Sequence, residues 1–553
     1  MVETRFRELL DQAFSDLKSE EIESLLTQAA MSTSKDTFSE IFEAVMSHSE
    51  RKKYGQFFTH RQLVDHIIAN LPITSTSTVL DPSCGAGAFL SAVSANLDGL
   101  GNEGGSIKTY GVDISAKALA MCRINLAMQA GGGVIQSQEK MRDADFFTNN
   151  FSHTNFITEF EINDFPEVAA EDGFDIVLGN PPFMNLKKGA DFEPDHPLFS
   201  PVISGVVNSC TLFIAKSLSL LKNGGWLGMV LPKNILRVKS FSALRGHLVK
   251  HCTIAQIFDI GHYFRDVRGD QIILILQKCP PTSASKPVEI SVIHSGNEFV
   301  SPYRYTLPQE IFTSNKFPIY YDEEIHQLAQ KLEQIPTNLA DYSSDIFRGL
   351  PLGANHKLVL PCPTTTSMRL LRGDSLNRFA IGYELGLDSS ASLEISEKKF
   401  TRQNHERIVL QNIVSREGGL AACVAPADCY CLDTVTNVVL DDASLNRYMV
   451  GLLNSRVANF YILMVTFLHS NFTMHADRSY IGQIPIAKPS PSQRRAVEFC
   501  TERLAHLPRG SEEYWREYDS LNHHLYQIYR LSEEEIALIE RSLSSIMSVK
   551  SNG

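Results

Sequence analysis

The ten residues FDIVLGNPPF, Phe174 to Phe183, decide how this sequence folds. Their first half is mostly apolar and indicates a buried strand, which runs directly into Asn180-Pro181-Pro182. Two consecutive prolines cannot continue a central strand, because proline has no N–H and a fixed φ. They leave carbonyls pointing outward at the carboxyl end of the strand, where ligands bind in open α/β sheets. We therefore predict an α/β sheet with a functional turn at 180–183.

The sequence on either side of this turn alternates between short apolar runs and helix-like stretches. The apolar runs include TVLDPS (78–83), KTYGVDI (108–114) and QIILILQK (271–278), and AKALAMCRINLAMQA (116–130) is one of the helix-like stretches. Strands that alternate with helices imply βαβ units and a mainly parallel sheet covered on both faces. The expected fold class is therefore α/β and Rossmann-like from about residue 51 to residue 278.

The run VLDPSCGAGAFL (79–90) reads as a strand, an acidic residue, a glycine-rich turn and a helix start. Glycines let the backbone approach a ligand, and a helix start offers free N–H groups. The run matches neither the dinucleotide motif nor a P-loop. An acid before the glycines repels phosphates but suits a cofactor with a cationic end, such as S-adenosylmethionine; a tight turn without a ligand is the alternative. The cofactor-binding candidates here are Asp81, Pro82, Ser83, Gly85 and Gly87.

Two further acidic residues follow at positions where a cofactor would be held. Asp113 ends the next apolar run, before Ile114, and an acid there can accept both hydroxyls of a ribose; a simple helix N-cap is the alternative. Asp145 could accept a hydrogen bond from an adenine amine while Phe146 stacks on its ring. The alternative for Asp145 and Phe146 is a surface aspartate beside core phenylalanines.

The four residues after the deciding strand have the chemistry to activate a nucleobase amine. The amine of adenine is a poor nucleophile because its lone pair is delocalised into the ring. The side-chain oxygen of Asn180 and the carbonyl of Pro181 can accept both amine hydrogens and localise that lone pair for attack on a sulfonium methyl. Phe183 offers a face for a flipped base. The catalytic candidates are Asn180, Pro181, Pro182 and Phe183.

Taken in order, LDPSCGAGAFL, VDI, ADFF and NPPF resemble the gamma-class DNA amino-methyltransferases of restriction–modification systems. YGQFFTHRQLVDHII (54–68) resembles the motif that closes over the methionine end of the cofactor in this class. By that resemblance Phe57, Phe58 and Thr59 line the cofactor, although members usually have proline where this chain has His60. The resemblance implies a Rossmann-like S-adenosylmethionine-dependent methyltransferase domain with a mostly parallel seven-stranded sheet.

The resemblance extends to the aromatic residue that packs on the flipped base. HYFRDVRGDQIILILQK (262–278) resembles the motif that carries it, and Phe264 is the first choice, with Tyr263 second. A plain core aromatic is the alternative. The implied function is a site-specific methyltransferase that modifies the N6 amine of adenine in duplex DNA by base flipping.

The second half of the chain resembles the target-recognition half of single-chain adenine methylases. The matching segments are IFRGLPLGANHK (346–357), LLRGDSLNRF (370–379) and RIVLQNI (407–413). Net charge is −12, but residues 345–420 hold ten Lys and Arg against eight Asp and Glu, which makes them a candidate DNA-facing surface. A solvated face is the alternative. The candidate DNA contacts are Arg348, Asn355, Lys357, Arg372, Arg378 and Arg402.

Length and composition predict several domains of a globular chain. We expect an N-terminal helical segment at 1–50, the catalytic domain at 51–300, an α+β target-recognition domain at 301–490 and a C-terminal helical segment at 491–553. The apolar stretch Met449–Leu468 contains polar residues, which favours a buried helix over a membrane span. The ten cysteines include no CxxC pair, so we expect free thiols, no metal site and a cytoplasmic location.

Other functions stay open at this point. Cytosine-N4 methylation needs the same chemistry, and NPPF-type turns also occur in enzymes that methylate RNA bases or protein amides. A non-catalytic cofactor-binding DNA-recognition subunit of a defence complex is a further alternative. The expected partner is double-stranded DNA, together with a cognate restriction endonuclease or subunits of a defence system.

Overall fold

The computed structural model describes residues 12, 59, 61–98, 108–131, 150–263, 269–282, 285–292, 303–320, 323–353, 355–468 and 474–544. The chain divides into two units, Met1–Ile319 and Tyr320–Gly553. Each unit is described by itself. Apart from residue 12, the predicted helical segment 1–50 lies outside the described residues.

The first unit is built on one twisted sheet. In its described part the strands are β1 (Thr78–Asp81), β2 (Lys108–Asp113), β3 (Phe151–His153), β4 (Phe174–Gly179), β5 (Asn185–Leu186), β6 (Val207–Asn208), β7 (Leu221–Pro232), β8 (Thr253–Gly261), β9 (Gln271–Gln277), β10 (Val288–Val292) and β11 (Tyr303–Leu307). Nine of them form the sheet, in the order β11-β10-β8-β9-β7-β4-β1-β2-β3, and β5 and β6 form a separate two-stranded ladder.

Pairing in this sheet is mainly parallel. Strands β1, β2, β3, β4 and β7 run parallel to one another, and β9 lies antiparallel between β7 and β8. These seven strands form the expected methyltransferase-type sheet, so the α/β prediction is confirmed. Strands β10 and β11 extend the sheet beyond the seven that we predicted.

Helices cover this sheet. They are α1 (Arg61–Ala69), α2 (Ala88–Asp98), α3 (Ala116–Gly131), α4 (Pro166–Ala170), α5 (Ser209–Leu220) and α6 (Ser242–His251). Helix α1 is amphipathic and buries Leu63, Val64, Ile67 and Ile68. The central strands are apolar on both faces: all of β1 is buried, as expected for a parallel sheet with helices on both sides.

Register brings the carboxyl ends of three strands together. Val79 of β1 pairs with Ile176 of β4, and Leu80 pairs with Val177. On the other side of β1, Asp81 pairs with Gly111 of β2. The residues that follow β1, β2 and β4 therefore meet at one edge of the sheet, and these are the residues that carry the sequence motifs.

The second unit is a mixed α+β structure, as predicted. Its strands are β12 (Ser343–Arg348), β13 (Val359–Leu360), β14 (Met368–Leu371), β15 (Leu385–Leu387), β16 (Arg407–Gln411), β17 (Ile413–Val414), β18 (Ala422–Ala425), β19 (Cys429–Cys431), β20 (Val435–Leu440) and β21 (Met474–His475). Two four-stranded sheets have the orders β12-β20-β16-β18 and β13-β15-β14-β19.

The helices of this unit close its main core. They are α7 (Glu323–Glu333), α8 (Ala391–Glu394), α9 (Glu397–Thr401), α10 (Asn446–Leu453), α11 (Arg456–Phe460), α12 (Arg478–Ile481), α13 (Pro491–His506), α14 (Glu512–Ile528) and α15 (Glu533–Ser544). Leucine and tyrosine side chains of α14 pack with those of α10 in one hydrophobic cluster. Ser490 caps α13 through its hydroxyl, and Ser511 caps α14 in the same way.

The apolar stretch Met449–Leu468 is buried, as predicted, but it is not one helix. It covers the end of α10, then α11, and then a π-helical segment, Tyr461–Thr466. Within the described residues, no single helix is long and apolar enough to cross a membrane. One bent pair, Ala443–Leu453 with Arg456–Thr466, passes that test by length and composition only.

Candidate active site

The glycine turn between β1 and α2 packs tightly against α3. Gly85 and Gly87 both have positive φ, +53° and +87°, and the N–H of Gly87 donates to the Cys84 carbonyl at 2.8 Å. A Cβ atom added to Gly87 would lie 2.6 Å from the Sγ atom of Cys122 in α3. Glycine at 87 is therefore required by backbone conformation and by packing, and the turn is held at the carboxyl end of β1.

Asp113 connects the ends of β1 and β2. Its two carboxylate oxygens accept from the N–H of Gly85 at 2.9 Å and from the N–H of Ser115 at 2.8 Å. Burial raises the pKa of Asp113, whereas these two hydrogen bonds and nearby His153 oppose the rise. The hydroxyl of Ser115 accepts a hydrogen bond from the N–H of Ala118 in the first turn of α3. Ser115 therefore caps this helix, which was the alternative role considered for Asp113.

Asp81 is a buried carboxyl group at the end of β1. It is 1% exposed, and burial raises its pKa to about 8. The N–H of Ser83 donates to Oδ1 at 3.0 Å, and this hydrogen bond opposes the rise in pKa. A Cβ atom added to Gly179, the last residue of β4, would lie 2.7 Å from the same oxygen. Glycine before Asn180 therefore lets β4 end against Asp81, which brings the turn at 180–183 next to the glycine turn.

The Asn180 amide fixes one side of the turn at 180–183. Its Nδ2 donates to Oγ1 of Thr59, which is buried, at 3.2 Å. The Ser83 hydroxyl reaches the Asn180 main-chain carbonyl at 3.4 Å. Among the described residues, no hydrogen bond engages the side-chain oxygen of Asn180 or the carbonyl of Pro181. These are the two oxygens that the sequence assigned to an incoming amine.

The other side of the turn is fixed by Ser209 at the start of α5. Its hydroxyl donates to the Pro182 carbonyl and accepts from the N–H of Met184 at 2.9 Å, while its own N–H donates to the Met184 carbonyl at 2.7 Å. Ser209 is 1% exposed. Three hydrogen bonds therefore hold the end of the turn to one buried residue.

Phe183 in the turn and Tyr263 after β8 pack, partly buried, against one apolar cluster, as does Trp226 of β7. The cluster includes residues of α1, β4 and β8. Ile114, after Asp113, is 49% exposed, which is unusual for a large apolar side chain in this unit. The remaining predicted site residues lie outside the described residues: Phe57, Phe58, Asp145, Phe146 and Phe264.

Three of the candidate DNA contacts in the second unit are already engaged by protein groups. Arg348 makes a two-point ion pair with Asp477 at 2.7 and 2.8 Å, and Arg402 makes one with Asp345 at 2.9 and 3.0 Å. Arg378 donates to two main-chain carbonyls. All three guanidinium groups therefore have hydrogen-bond partners within the protein.

Of the other three candidates, Arg372 is half-buried and Lys357 is exposed. Arg372 pairs with the neighbouring Asp374, and Lys357 pairs with Glu394 at 3.0 Å. Asn355 is exposed. A surface ion pair contributes little stability, so Lys357 could exchange its partner for a phosphate at small cost.

Sequence reasoning missed Gly179 and Ser209. Gly179 had a local signal, because glycine inside a strand pattern often marks close approach of another group. Ser209 had none: it is 27 positions from Pro182, and only the fold brings them together.

Comparison with known proteins identifies the class to which this arrangement belongs. A family model described as N-6 DNA Methylase matches residues 33–316, just over half of the chain. The chain belongs to the N-6 DNA methylase family. A second model, described as a TaqI-like C-terminal specificity domain, matches residues 368–486 of this methylase.

Relatives of this N-6 DNA methylase include type II methyltransferases. M.VspI of Vibrio sp. (strain 343) is 24% identical over 345 residues, which cover 62% of this chain and 75% of that protein. M.HincII of Haemophilus influenzae is 23% identical over 235 residues, 41% of this chain and 38% of its own length. The resemblance to methyltransferases of restriction–modification systems is confirmed.

Solved structures extend the likeness over nearly the whole methylase. The type IIL restriction–modification enzyme MmeI, in complex with DNA, has a TM-score of 0.64 at 13% identity and covers 94% of this chain and 82% of its own. The DrdV–DNA complex has a TM-score of 0.53 at 10% identity and covers 92% and 72%. At such identities these structures support the fold.

Proposed function

We propose that this chain transfers a methyl group from S-adenosylmethionine to the N6 amine of adenine in duplex DNA, after flipping the base out of the helix. One observation carries the proposal: Asn180 is anchored to Thr59 through its amide nitrogen, while its side-chain oxygen and the Pro181 carbonyl accept no hydrogen bond among the described residues. Two acceptors at a fixed turn match the two hydrogens of an exocyclic amine.

The residues around the glycine turn fit the proposed cofactor. Each carboxylate oxygen of Asp113 holds one N–H, so each keeps a lone pair for a ribose hydroxyl. The exposed side chain of Ile114 offers an apolar surface to a purine ring. Asp81 supplies a carboxylate for an ammonium group, and Thr59, Pro82 and Ser83 complete the described part of this proposed site.

In the proposed reaction the protein positions the amine, and no protein group takes up the methyl group. S-adenosylmethionine, when bound, supplies an electrophilic methyl group on a sulfonium. Asn180 and Pro181 accept hydrogen bonds from the two amine hydrogens and localise the lone pair on nitrogen. The nitrogen would bond to the methyl carbon as the carbon–sulfur bond breaks, and the proton that the nitrogen then loses would go to solvent. Phe183 stacks on the flipped ring, with Tyr263 or Phe264 on the other face. Ser209 keeps Pro182 and Met184 in place while the base enters.

The second half of the chain, predicted as 301–490, is proposed to read the target, with the six candidate residues as contacts. A cognate restriction endonuclease acting on the same target is the proposed partner. One relative from Methanocaldococcus jannaschii is named a putative type II restriction enzyme and methyltransferase, and the matched region covers 28% of that protein.

The test is transfer of a labelled methyl group from S-adenosylmethionine to unmethylated duplex DNA, compared with RNA and with protein. We expect transfer to DNA alone. Asn180→Ala should lower the rate more than a hundredfold with cofactor affinity nearly unchanged, since it removes an acceptor used in the transition state. Asn185→Ala, an exposed asparagine in β5, is the matched control and should keep full activity. Transfer by Asn180→Ala within tenfold of wild type would contradict the assigned role.

A further inference from the structure

The guanidinium group of Arg402 is held from two directions at once. Nε and Nη2 donate to the two carboxylate oxygens of Asp345 at 2.9 and 3.0 Å. The guanidinium carbon also lies 4.0 Å from the centre of the Phe347 ring. An in-plane ion pair fixes the direction of the group, and a stacked ring fixes its plane.

This arrangement leaves one edge of Arg402 for a ligand. An arginine has five N–H donors, and a carboxylate bound across Nε and Nη2 leaves the edge between Nη1 and Nη2 with two parallel donors. Among the described residues, nothing accepts a hydrogen bond from Nη1 of Arg402, and its side chain is 42% exposed. Within the described residues, the Nη1 donors of this exposed side chain therefore remain for a ligand.

Other arginines of this unit are arranged differently. Arg369 donates from Nε and Nη2 to Glu384 and from Nη1 to Asp428, so both of its edges are occupied. Arg348 has the same two-point pairing with Asp477 as Arg402 has with Asp345, but no aromatic ring is recorded against it in the described part of the chain.

Arg402 also lines an open surface groove of about 480 Å³, together with Glu397, Lys398, Thr401 and His405. Two parallel donors match the O6 and N7 acceptors that guanine presents in the major groove, and a carboxylate such as Glu397 suits the N4 amine of the paired cytosine. The groove thus offers the hydrogen-bonding complement of one G·C pair.

We propose that Arg402, held by Asp345 and Phe347, reads one guanine of the target in the major groove and so determines specificity at that position. This rests on the proposed function and goes further by assigning one base of the target to one residue. Because Asp345 and Phe347 already hold the guanidinium, little side-chain freedom is lost when the guanine binds.

The experiment uses the full chain and the target sequence that its own methylation defines. Each guanine of a synthetic target duplex is replaced in turn by 7-deazaguanine, which lacks N7, or by inosine, which keeps N7 and O6. For wild type, 7-deazaguanine at one position should lower kcat/KM about tenfold, the effect of losing one charge-assisted hydrogen bond. Inosine at that position should have little effect.

Variants locate the contact. Arg402→Ala should lower kcat/KM on the unmodified duplex at least tenfold and make the enzyme indifferent to 7-deazaguanine at that one position, while other positions respond as before. Arg402→Lys keeps the charge but loses the planar pair of donors, so its kcat/KM on the unmodified duplex should lie between those of wild type and the alanine variant. Lys399→Ala, which removes a neighbouring exposed charge on α9, should lower kcat/KM equally on all duplexes.

Two results would overturn the inference: an Arg402→Ala enzyme that keeps its sensitivity to 7-deazaguanine at every guanine, or a target without guanine. An Arg402→Ala loss that is equal on all duplexes would also overturn it, because it would indicate a phosphate or structural role. A wild type that methylates no DNA would instead refute the proposed function itself.

Discussion

Replacing Asp113 by asparagine separates a cofactor-binding carboxylate from a purely structural one. The carboxylate accepts from the N–H groups of Gly85 and Ser115, one on each oxygen. Asparagine has the same shape but one acceptor oxygen, so its NH₂ group would face one of these two donors. A hydrogen bond to a charged acceptor contributes about 1.5–3 kcal/mol, and the free energy of unfolding should fall by about that amount.

The same change removes half of the proposed ribose site. Loss of one hydroxyl contact at about 1–3 kcal/mol should weaken S-adenosylmethionine binding roughly 5- to 150-fold. Calorimetric titration with the cofactor measures the affinity, and urea denaturation of the same preparations measures the stability. Asp172→Asn, on the exposed turn before β4, is the matched control and should change neither. If Asp113→Asn loses stability while its cofactor affinity stays within twofold of wild type, Asp113 is structural only.

Two further predictions concern the catalytic turn and the pH dependence of cofactor binding. Ser209→Ala removes both hydroxyl contacts to the turn and should lower kcat at least tenfold with the cofactor affinity unchanged, because the turn loses its position; rates equal to those of Ser219→Ala, a serine on the same helix α5, would contradict this. The raised pKa of Asp81, about 8, means that its carboxyl group is largely neutral at pH 6 and ionises as pH rises. Cofactor affinity should therefore rise between pH 6 and 7.5, and binding should release the proton of the Asp81 carboxyl group. This range lies below the ~7.7–8.0 at which an α-amino group loses its own proton. Calorimetry in buffers of different ionisation enthalpy measures that release, and a flat or falling affinity would remove Asp81 from the ammonium site.

Local signals in the sequence were enough to predict the sheet and the order of its motifs. The apolar runs that end in Asp81, Asp113 and Gly179 are strands β1, β2 and β4, since continuous apolar strands are typical of a parallel sheet. Strands β10 and β11 were not predicted, because residues 288–307 show no clear helix–strand alternation.

Long-range contacts account for what the sequence could not predict. The predicted buried helix ends at Leu453. The Asn454 side chain then pairs with Ala422 of β18, and Ser455 caps the helix that follows. In the same way, nothing near Ser209 in the sequence indicates that it holds Pro182, and nothing near Arg402 indicates Asp345, which is 57 positions away. Such pairings depend on the register of distant strands, which composition and periodicity do not encode.

The most direct test of the account is the chemical identity of the methylated base. Duplex DNA is incubated with the full chain and isotope-labelled S-adenosylmethionine, digested to nucleosides and analysed by mass spectrometry, with single-molecule sequencing to locate the modified position. The account predicts N6-methyladenine at one defined sequence with wild type and none with Asn180→Ala. Label on cytosine, or no label on DNA from a protein that binds the cofactor, would contradict it.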